Sequence, residues 1–260
     1  MKINNQDKLI KLLETEFPLT SQEPWDFGGF SFFATKEKDL KIIVTLDVDK
    51  KTILRAIREN VSLIISHHPF CFAPSKIEAI KLDPSKEELF NLVKENNIAT
   101  YSLHTSFDSH TMGTDYYLLK KLDLLDKIIK RYKFNSIVEY SKSFSSLTEL
   151  IKSNFNLEYV ISNWSNSWES KVGKIYFAPG AGDVYEFIKH NAQDNCDLLI
   201  TSDIKWNEKV VLQNLGINFI IVSHKVEEVF IEGINQFLKD KVSNDVEINL
   251  DYQDDFLKKY

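Results

Sequence analysis

The chain has 260 residues, of which 43% are hydrophobic, so it can bury a large core in one big domain or in two smaller ones. Charged residues make up 27%, and the eight glycines and six prolines are few for this length, which argues against global disorder. The formal net charge of −6 argues against binding nucleic acid by diffuse attraction alone, although a local cationic site can act against the global sign.

The two cysteines, Cys71 and Cys196, are far apart and form no CxxC pattern. We therefore expect a reducing cytosol rather than a disulfide framework. Cys71 closely follows two histidines, but a small buried hydrophobe is the favoured interpretation of its role over a soft metal ligand. Residues 1–18 lack the continuous apolar core of a signal peptide, and no stretch approaches the ~20 apolar residues of a membrane helix. We expect a soluble, cytoplasmic protein with no membrane partner.

Between residues 1 and 130, β-branched apolar runs alternate with segments of helical spacing. The order strand, helix, strand implies parallel strands that are joined by crossover helices. The predicted elements are a helix that ends before Pro18, strands over 41–47, 61–66 and 98–103, and helices over 49–59, 84–96 and 116–130.

Residues 131–170 are dense in serine and asparagine and carry a shorter strand candidate over 132–140. The elements predicted after them are helices over 146–154 and 184–191, strands over 174–178, 198–201 and 218–223, and a last strand candidate with a charged tail within 246–260. We predict an α/β fold with mixed, largely parallel sheets. A second lobe over 128–195 is inserted into a first lobe formed by 1–127 and 196–260, because strands that carry candidate site residues occur on both sides of it.

Four of these strand-like runs end on residue types that bind metals, and they carry four of the six histidines. In open α/β sheets, ligands gather outside the carboxyl ends of the strands. Three imidazoles and two carboxylates that met there would make a polynuclear metal site. The candidate residues at the four strand ends, from which these ligands would come, are His67 and His68, His104 and Asp108, Asp203, and His224 and Glu228.

The individual strand ends are ambiguous. Neighbours on a strand point to opposite faces, but Pro69 holds His68 extended, so a turn can bring the rings of His67 and His68 into one cleft. Asp108 offers a hard oxygen, and His104 can either ligate or orient that carboxylate. Taken alone, the histidine pair is better explained by loop polarity, and Asp108 by a role in the turn.

The last strand end predicts a helix capped by Ser223, on which His224 and Glu228 stand four residues apart on one face. A solvated helix face is the alternative. Taken together, three histidine-bearing strand ends favour the metal site. Five ligands for two ions leave coordination positions open, which is typical of catalytic sites. Two divalent ions carry more positive charge than two carboxylates neutralise, and this suits an anionic substrate. Ions about 3.5–4 Å apart can also activate water and clamp a phosphoryl group.

The motifs resemble the Nif-three-like family, whose members are also called GTP cyclohydrolase I type 2 homologues. The chain departs from the family pattern at Ser106, Ser202 and Asn207, where the family often has Asn, Gly and His. The matching segments are Trp25-Asp-Phe-Gly28, Leu46-Asp-Val48, Ile65-Ser-His-His-Pro69, Leu103-His-Thr-Ser-Phe-Asp108, Pro179-Gly-Ala-Gly-Asp183, Thr201-Ser-Asp-Ile-Lys-Trp-Asn207, and Ser223-His224 with Glu228.

The resemblance implies two interlinked α/β lobes, a dinuclear metal centre and a toroidal homohexamer with the metals facing an internal cavity. The mixed donor set admits Zn, Mn, Fe, Co or Ni. With Asn207 in place of a histidine, His104 is the best remaining proton carrier. Lys205 and Lys76 are candidate substrate contacts. The metal ligands implied by the resemblance are His67, His68, Asp108, His224 and Glu228.

The function predicted from these residues is a metal-dependent hydrolase of phosphorylated substrates, either nucleotides or short single-stranded nucleic acid, that uses metal-activated water. The first alternative is the activity in the family's label, opening of the GTP imidazole ring. The second is a ring-shaped, metal-binding scaffold without turnover.

Overall fold

The computed structural model describes residues 2–35 and 38–253 and separates into two compact units. Unit 1 comprises Met1–His110 and Phe230–Tyr260, and unit 2 is the continuous segment Thr111–Val229 between them. Each unit contains one β-sheet flanked in sequence by helices. The predicted mixed α/β fold class is therefore confirmed. The charged tail expected at the end of the chain lies outside the described residues.

Unit 1 has a five-stranded sheet formed by β1 (Gly29–Phe32), β2 (Lys41–Thr45), β3 (Leu63–Ser66), β4 (Ala99–Ser102) and β11 (Glu247–Asp251). The strand order is β1-β4-β3-β2-β11, in which β1 is antiparallel to β4 and all other pairs are parallel. The first part of unit 1 also contains the helices α1 (Gln6–Glu16), α2 (Lys50–Arg58), α3 (Lys76–Leu82), α4 (Lys86–Glu95) and α5 (Thr105–Asp108).

Unit 2 has a six-stranded sheet in the order β5-β6-β8-β9-β10-β7, in which β8, β9 and β10 are parallel neighbours. It consists of α6 (Thr114–Lys121), β5 (Ile128–Arg131), β6 (Ser136–Glu139), α7 (Phe144–Phe155), β7 (Ile161–Ser162), β8 (Lys174–Ala178), α8 (Val184–Asp194), β9 (Leu198–Thr201), α9 (Trp206–Asn214) and β10 (Asn218–Ile221). The chain then continues through α10 (Val229–Leu238) to β11 (Glu247–Asp251) of the first sheet.

The central strands are near-continuous apolar runs because both faces of the sheet are covered. Every residue of β3 and of β4 is buried, as expected for parallel strands with crossover helices. In unit 1, Ile43 and Ile64 of the sheet share one core cluster with Ile53 of α2 and Phe90 of α4. Burial of these side chains fixes which face of each helix meets the strands.

Asparagines in the left-handed conformation end four of the helices and turn the chain towards the next strand. Asn60, Asn97, Asn156 and Asn195 all have φ between 51° and 53°. Asparagine tolerates this conformation better than most residues because its short side chain can hydrogen-bond locally. These positions explain why the helices stop where they do, a few residues before β3, β4, β7 and β9.

Two of the predicted elements, the helix over 116–130 and the strand over 132–140, differ from those in the structure. The leucine-rich helix predicted over 116–130 ends at Lys121, because Asp123 adopts a left-handed φ of 56°. The residues that follow form β5, which pairs antiparallel with β6, so the single strand predicted over 132–140 is part of a two-stranded hairpin. The helices α3, α5 and α9 and the short strands β1 and β7 were not predicted.

The observed units also differ from the expected lobe boundaries of 128–195. The second unit is a continuous insertion, but it extends over 111–229. The reason is strand pairing: β9 pairs in parallel with β8, and β10 pairs with β9, so the segment after residue 195 continues the second sheet instead of returning to the first. Within residues 2–35 and 38–253, no helix is long and apolar enough to cross a membrane.

The last strand is held to α2 by a partly buried polar contact. The Asp251 carboxylate accepts hydrogen bonds from the Thr52 hydroxyl at 2.6 Å and from the Arg55 guanidinium at 2.6 Å. We predict that Asp251→Ala lowers the free energy of unfolding by about 1–2 kcal/mol, because two charge-assisted hydrogen bonds are lost. Urea denaturation of the variant and the wild-type protein measures this.

Glu247→Ala on the same strand is the matched control. Its carboxylate pairs with Lys41 at 2.7 Å but is more than half exposed, so we expect a loss of at most about 1 kcal/mol. Equal losses for the two variants would contradict the anchoring role of Asp251.

Candidate functional site

The topology of unit 1 brings several polar residues to one edge of its sheet. Because β2, β3 and β4 are parallel neighbours, the segments that follow them leave the sheet side by side. Asp47 follows β2, the pair His67-His68 follows β3, and His104 follows β4. β1 runs antiparallel to β4, with Gly29 opposite Ser102, so the loop that carries Asp26 arrives at the same edge.

The three histidines of this edge form one cluster. His67, His68 and His104 each offer a ring nitrogen, and these nitrogens lie within 4.8 Å of one another. The backbone N–H groups of His67 and His68 donate to the carbonyls of Thr45 and Leu46, which extends the ladder to β2 beyond the end of β3. The rings of His67 and His68 lie 5.0 Å apart. Side chains that follow each other in a strand point to opposite faces, but the chain turns after Ser66, so these two rings can approach each other.

Asp108 lies close to this cluster. Its Oδ1 is 3.7 Å from Nε2 of the fully buried His67. The other side of the His67 ring packs against Phe230 at 5.0 Å and lies 6.3 Å from Phe107. Three sequence-predicted ligands of unit 1, together with His104, are therefore assembled in one partly apolar site.

Two histidines are oriented by carboxylates that the sequence analysis did not assign to the site. The ring Nδ1 of His68 lies 2.8 Å from Asp47 Oδ1, and that of His104 lies 2.9 Å from Asp26 Oδ1. An ionised carboxylate only accepts hydrogen bonds, so each Nδ1 carries the proton and the ring lone pair is on Nε2. This is the arrangement in which protein histidines bind metal ions.

Asp26 is buried, and its environment keeps it ionised. Burial works against the charged form, but hydrogen bonds from His104 and from the Thr105 hydroxyl and N–H outweigh it and lower the pKa of Asp26 to about 2. The carboxylate thus holds both the His104 ring and the first residue of α5. The sequence signal for Asp47 was its position just after a buried strand; Asp26 precedes a strand, and only the antiparallel pairing of β1 reveals its place.

Unit 2 builds a similar polar edge from β8, β9 and β10. The glycine-rich segment follows β8, Asp203 follows β9, and His224 follows β10. Nδ1 of His224 lies 2.6 Å from Asp203 Oδ2, and its Nε2 lies 2.7 Å from Glu227 Oε2. The edge of unit 2 therefore carries an imidazole between two carboxylates.

The geometry after Ser223 differs from the predicted α-helix. Residues His224–Glu228 form a 3₁₀ helix, and α10 begins only at Val229. With three residues per turn, positions i and i+3 share a face, which places Glu227 next to His224. The α-helix predicted to begin at His224 was therefore wrong for these five residues, because they form a 3₁₀ helix; the ligand role of Glu228 stays a prediction.

Gly180 organises the same edge. Its carbonyl accepts hydrogen bonds from the backbone N–H groups of Ser202 and Asp203 and from the Thr201 hydroxyl. Its φ is +69°, and a Cβ at this position would overlap the Glu227 carboxylate. Glycine is therefore required both for the backbone conformation and for the close approach of Glu227.

The two lysines predicted to contact substrate both make contacts within the protein. Lys76 begins α3, and its ammonium lies over the buried Phe90 ring at 5.1 Å from the centroid. Lys205 precedes α9, is exposed, and donates its backbone N–H to Glu208 at 2.8 Å. Their substrate contacts stay predictions.

The donors in unit 1 fit a divalent metal ion. Imidazole nitrogen and carboxylate oxygen are the common ligands of zinc and of the neighbouring transition metals. Two of the three clustered rings have the Nδ1–carboxylate hydrogen bond that accompanies ligation through Nε2. The fold and these donors together define a mixed α/β protein whose residues can bind metal at a sheet edge.

Comparison with known proteins identifies the family. A family model described as Duf34/NIF3 (NGG1p interacting factor 3) matches residues 4–254. The chain therefore belongs to the DUF34/NIF3 family, and the family resemblance of its motifs is confirmed.

Two relatives and one solved structure illustrate the similarity. A GTP cyclohydrolase 1 type 2 homolog of Mycoplasmopsis pulmonis is 32% identical over 244 residues, which cover 93% of this chain and 96% of that protein. A GTP cyclohydrolase 1 type 2 of Helicobacter pylori is 27% identical over 223 residues, covering 85% and 86%. The crystal structure of a Bacillus cereus protein related to NIF3 superposes with a TM-score of 0.82 at 17% identity and 100% coverage of both chains, which shows a shared fold.

The carboxylate partner of His68 provides a test of the metal site. We predict that Asp47→Ala weakens Zn²⁺ or Mn²⁺ binding roughly 10- to 100-fold, because the His68 ring loses the group that sets its orientation and tautomer. Calorimetric metal titration measures the change. Asp49→Ala is the control: Asp49 caps α2 by accepting from the Thr52 N–H at 2.7 Å, so its loss lowers stability without lowering metal affinity. Equal metal affinities for wild type and Asp47→Ala would contradict the predicted role.

Two glycines with nearly the same backbone conformation test the role of Gly180. Gly216 has a φ of +68° and nothing within 4 Å of an added Cβ, so Gly216→Ala measures backbone strain alone, about 1–2 kcal/mol. We predict a larger loss of unfolding free energy for Gly180→Ala, because its Cβ also displaces Glu227. Urea denaturation compares the two variants, and equal losses would show that the Glu227 contact is unimportant.

Proposed function

We propose that this protein is a metal-dependent hydrolase of phosphorylated substrates, namely nucleotides or short single-stranded nucleic acid. The observation that carries the proposal is the cluster of His67, His68 and His104 at the carboxyl edge of the first sheet, with carboxylates orienting two of the rings. A purely structural cluster has no need of three imidazoles with converging nitrogens. A carboxylate with a perturbed pKa beside such donors, here Asp26, is typical of active sites.

The proposed cofactor is a pair of divalent ions. The ligand set that the sequence resemblance implies for them is His67, His68, Asp108, His224 and Glu228. Zn, Mn, Fe, Co and Ni all suit these donors. When bound, such ions supply Lewis acidity, lower the pKa of water and offset the charge of a phosphate.

His104 is the proposed proton carrier. Asp26 stays ionised at any pH above about 2, and its carboxylate accepts a hydrogen bond from Nδ1 of His104. The same bond keeps the ring in one orientation, with Nε2 towards the other histidines. His104 can therefore accept a proton from the attacking water and deliver one to the leaving oxygen, in the manner of an aspartate-oriented histidine.

Opening of the GTP imidazole ring is the second candidate. The name GTP cyclohydrolase 1 type 2, carried by the Helicobacter pylori relative, favours it. That reaction also consumes water, and it yields formate and an amino-pyrimidine triphosphate. A toroidal homohexamer without turnover, which binds metal as a scaffold, is the third candidate and rests on the family resemblance.

The experiment is to assay purified, metal-analysed protein with three substrates, each with and without added Mn²⁺. They are GTP, a chromogenic phosphodiester and labelled single-stranded oligonucleotides. The proposal expects release of mononucleotides or of the dye, formate release supports ring opening, and no turnover on any substrate with metal bound favours the scaffold.

A matched pair of variants controls this assay. Asp108→Ala is expected to abolish the activity, because Asp108 is a proposed ligand. Asp126→Ala is expected to leave it unchanged, because Asp126 is an exposed carboxylate paired with its neighbour Lys127 at 2.8 Å. Full activity in Asp108→Ala, or activity that survives chelation of the metal, would refute the proposal.

A further inference from the structure

Two exposed aromatic rings flank the histidine cluster of unit 1. Trp25 is 57% exposed and Phe72 is 50% exposed, whereas the His104 side chain between them is only 14% exposed. The Trp25 ring meets the His104 ring edge-on at 5.8 Å and 75°, and the Phe72 ring does so at 5.6 Å and 88°. Phe72 also lies 6.3 Å from the ring of His68.

Anchored backbone holds both rings at the surface. Trp25 directly precedes Asp26, which is buried and bonded to His104 and Thr105. Phe72 stands between buried neighbours: the Phe70 ring packs on Phe90 at 4.8 Å, and the Cys71 thiol donates to a nearby carbonyl. The exposure of the two rings is thus imposed by the fold, and it leaves large apolar surface uncovered next to polar donors.

Space for a ligand continues beyond Phe72. A cleft of about 500 Å³ is lined by Phe72 and by Asp47, the partner of His68. Farther along, the cleft carries Lys50 and Lys86 together with several carboxylates. This mixture of charges suits a neutral group with hydroxyls, such as a ribose, better than a second phosphate.

We propose that Trp25 and Phe72 form a nucleobase-binding rim beside the histidine cluster, so that the substrate class of this site is a nucleotide. The inference rests on the proposed function and narrows it. A planar base can stack on either exposed ring, while the phosphate of the same molecule lies at the metal-binding edge. Stacking on aromatic side chains is insensitive to base identity, because every base has a π-face.

The test compares two probes that differ in the base, GMP and ribose 5-phosphate. Their dissociation constants are measured by calorimetry on the full chain loaded with Mn²⁺, and again without metal. Wild type is expected to bind GMP more tightly than ribose 5-phosphate. Trp25→Ala and Phe72→Ala are each expected to weaken GMP binding roughly 5- to 150-fold and to leave ribose 5-phosphate binding unchanged.

Conservative and control variants separate stacking from simple shielding of His104. Trp25→Phe keeps a π-face and is expected to retain most of the GMP affinity. Phe33→Ala removes a ring of similar exposure, 53%, which packs on Phe30, and is expected to leave the binding of both probes unchanged. If the rings only shield His104, the alanine variants alter the binding of both probes equally.

Three results overturn the inference: equal affinity of wild type for the two probes, equal losses for both probes in the variants, or full GMP affinity in Trp25→Ala and Phe72→Ala. These results are distinguishable from failure of the proposed function. An active hydrolase without base preference refutes the rim alone, whereas preferential GMP binding by a protein with no turnover refutes the hydrolase and leaves the rim in place.

Discussion

The in-register parallel pairing of β3 with β2 and β4 is the constraint on which the histidine cluster depends. Thr45, Ser66 and Ser102 lie in one row across these strands, so the chain leaves the sheet at the same level three times. A slip of one residue would move each following side chain to the other face. Burial of the strands on both faces makes such a slip costly, because it would expose apolar side chains and bury polar ones.

Hydrogen bonds to carboxylates offset part of the free-energy cost of placing three imidazoles in a poorly hydrated site. A histidine in an apolar site loses hydration, and a hydrogen bond to an ionised partner restores part of it. Asp26 illustrates the coupling: it is itself buried, yet its bonds to His104 and Thr105 keep its pKa low. The same contacts orient the ring, so the groups that stabilise the local structure are also those that prepare it for metal binding.

Unit 2 follows the same physical rule with different residues. Its parallel strands β8, β9 and β10 also deliver polar side chains at their carboxyl ends, and His224 also has an aspartate at Nδ1. The shared fold of distant relatives does not by itself determine what such a site does. The argument for function therefore rests on the donors, their partners and the exposed aromatic rings beside them.

The sequence by itself determined most of the strands and helices, the mixed α/β class and the positions of the four histidines at strand ends, because these depend on local periodicity and turn chemistry. It did not determine the lobe boundary near residue 195, since pairing of β9 with β8 is a choice between distant segments. It also did not assign Asp26 to the site, because Asp26 reaches it only through the antiparallel pairing of β1, and it predicted an α-helical turn at His224 where the structure has a 3₁₀ helix. Contacts between residues far apart in the chain carry no local signal, and only the tertiary structure decides them.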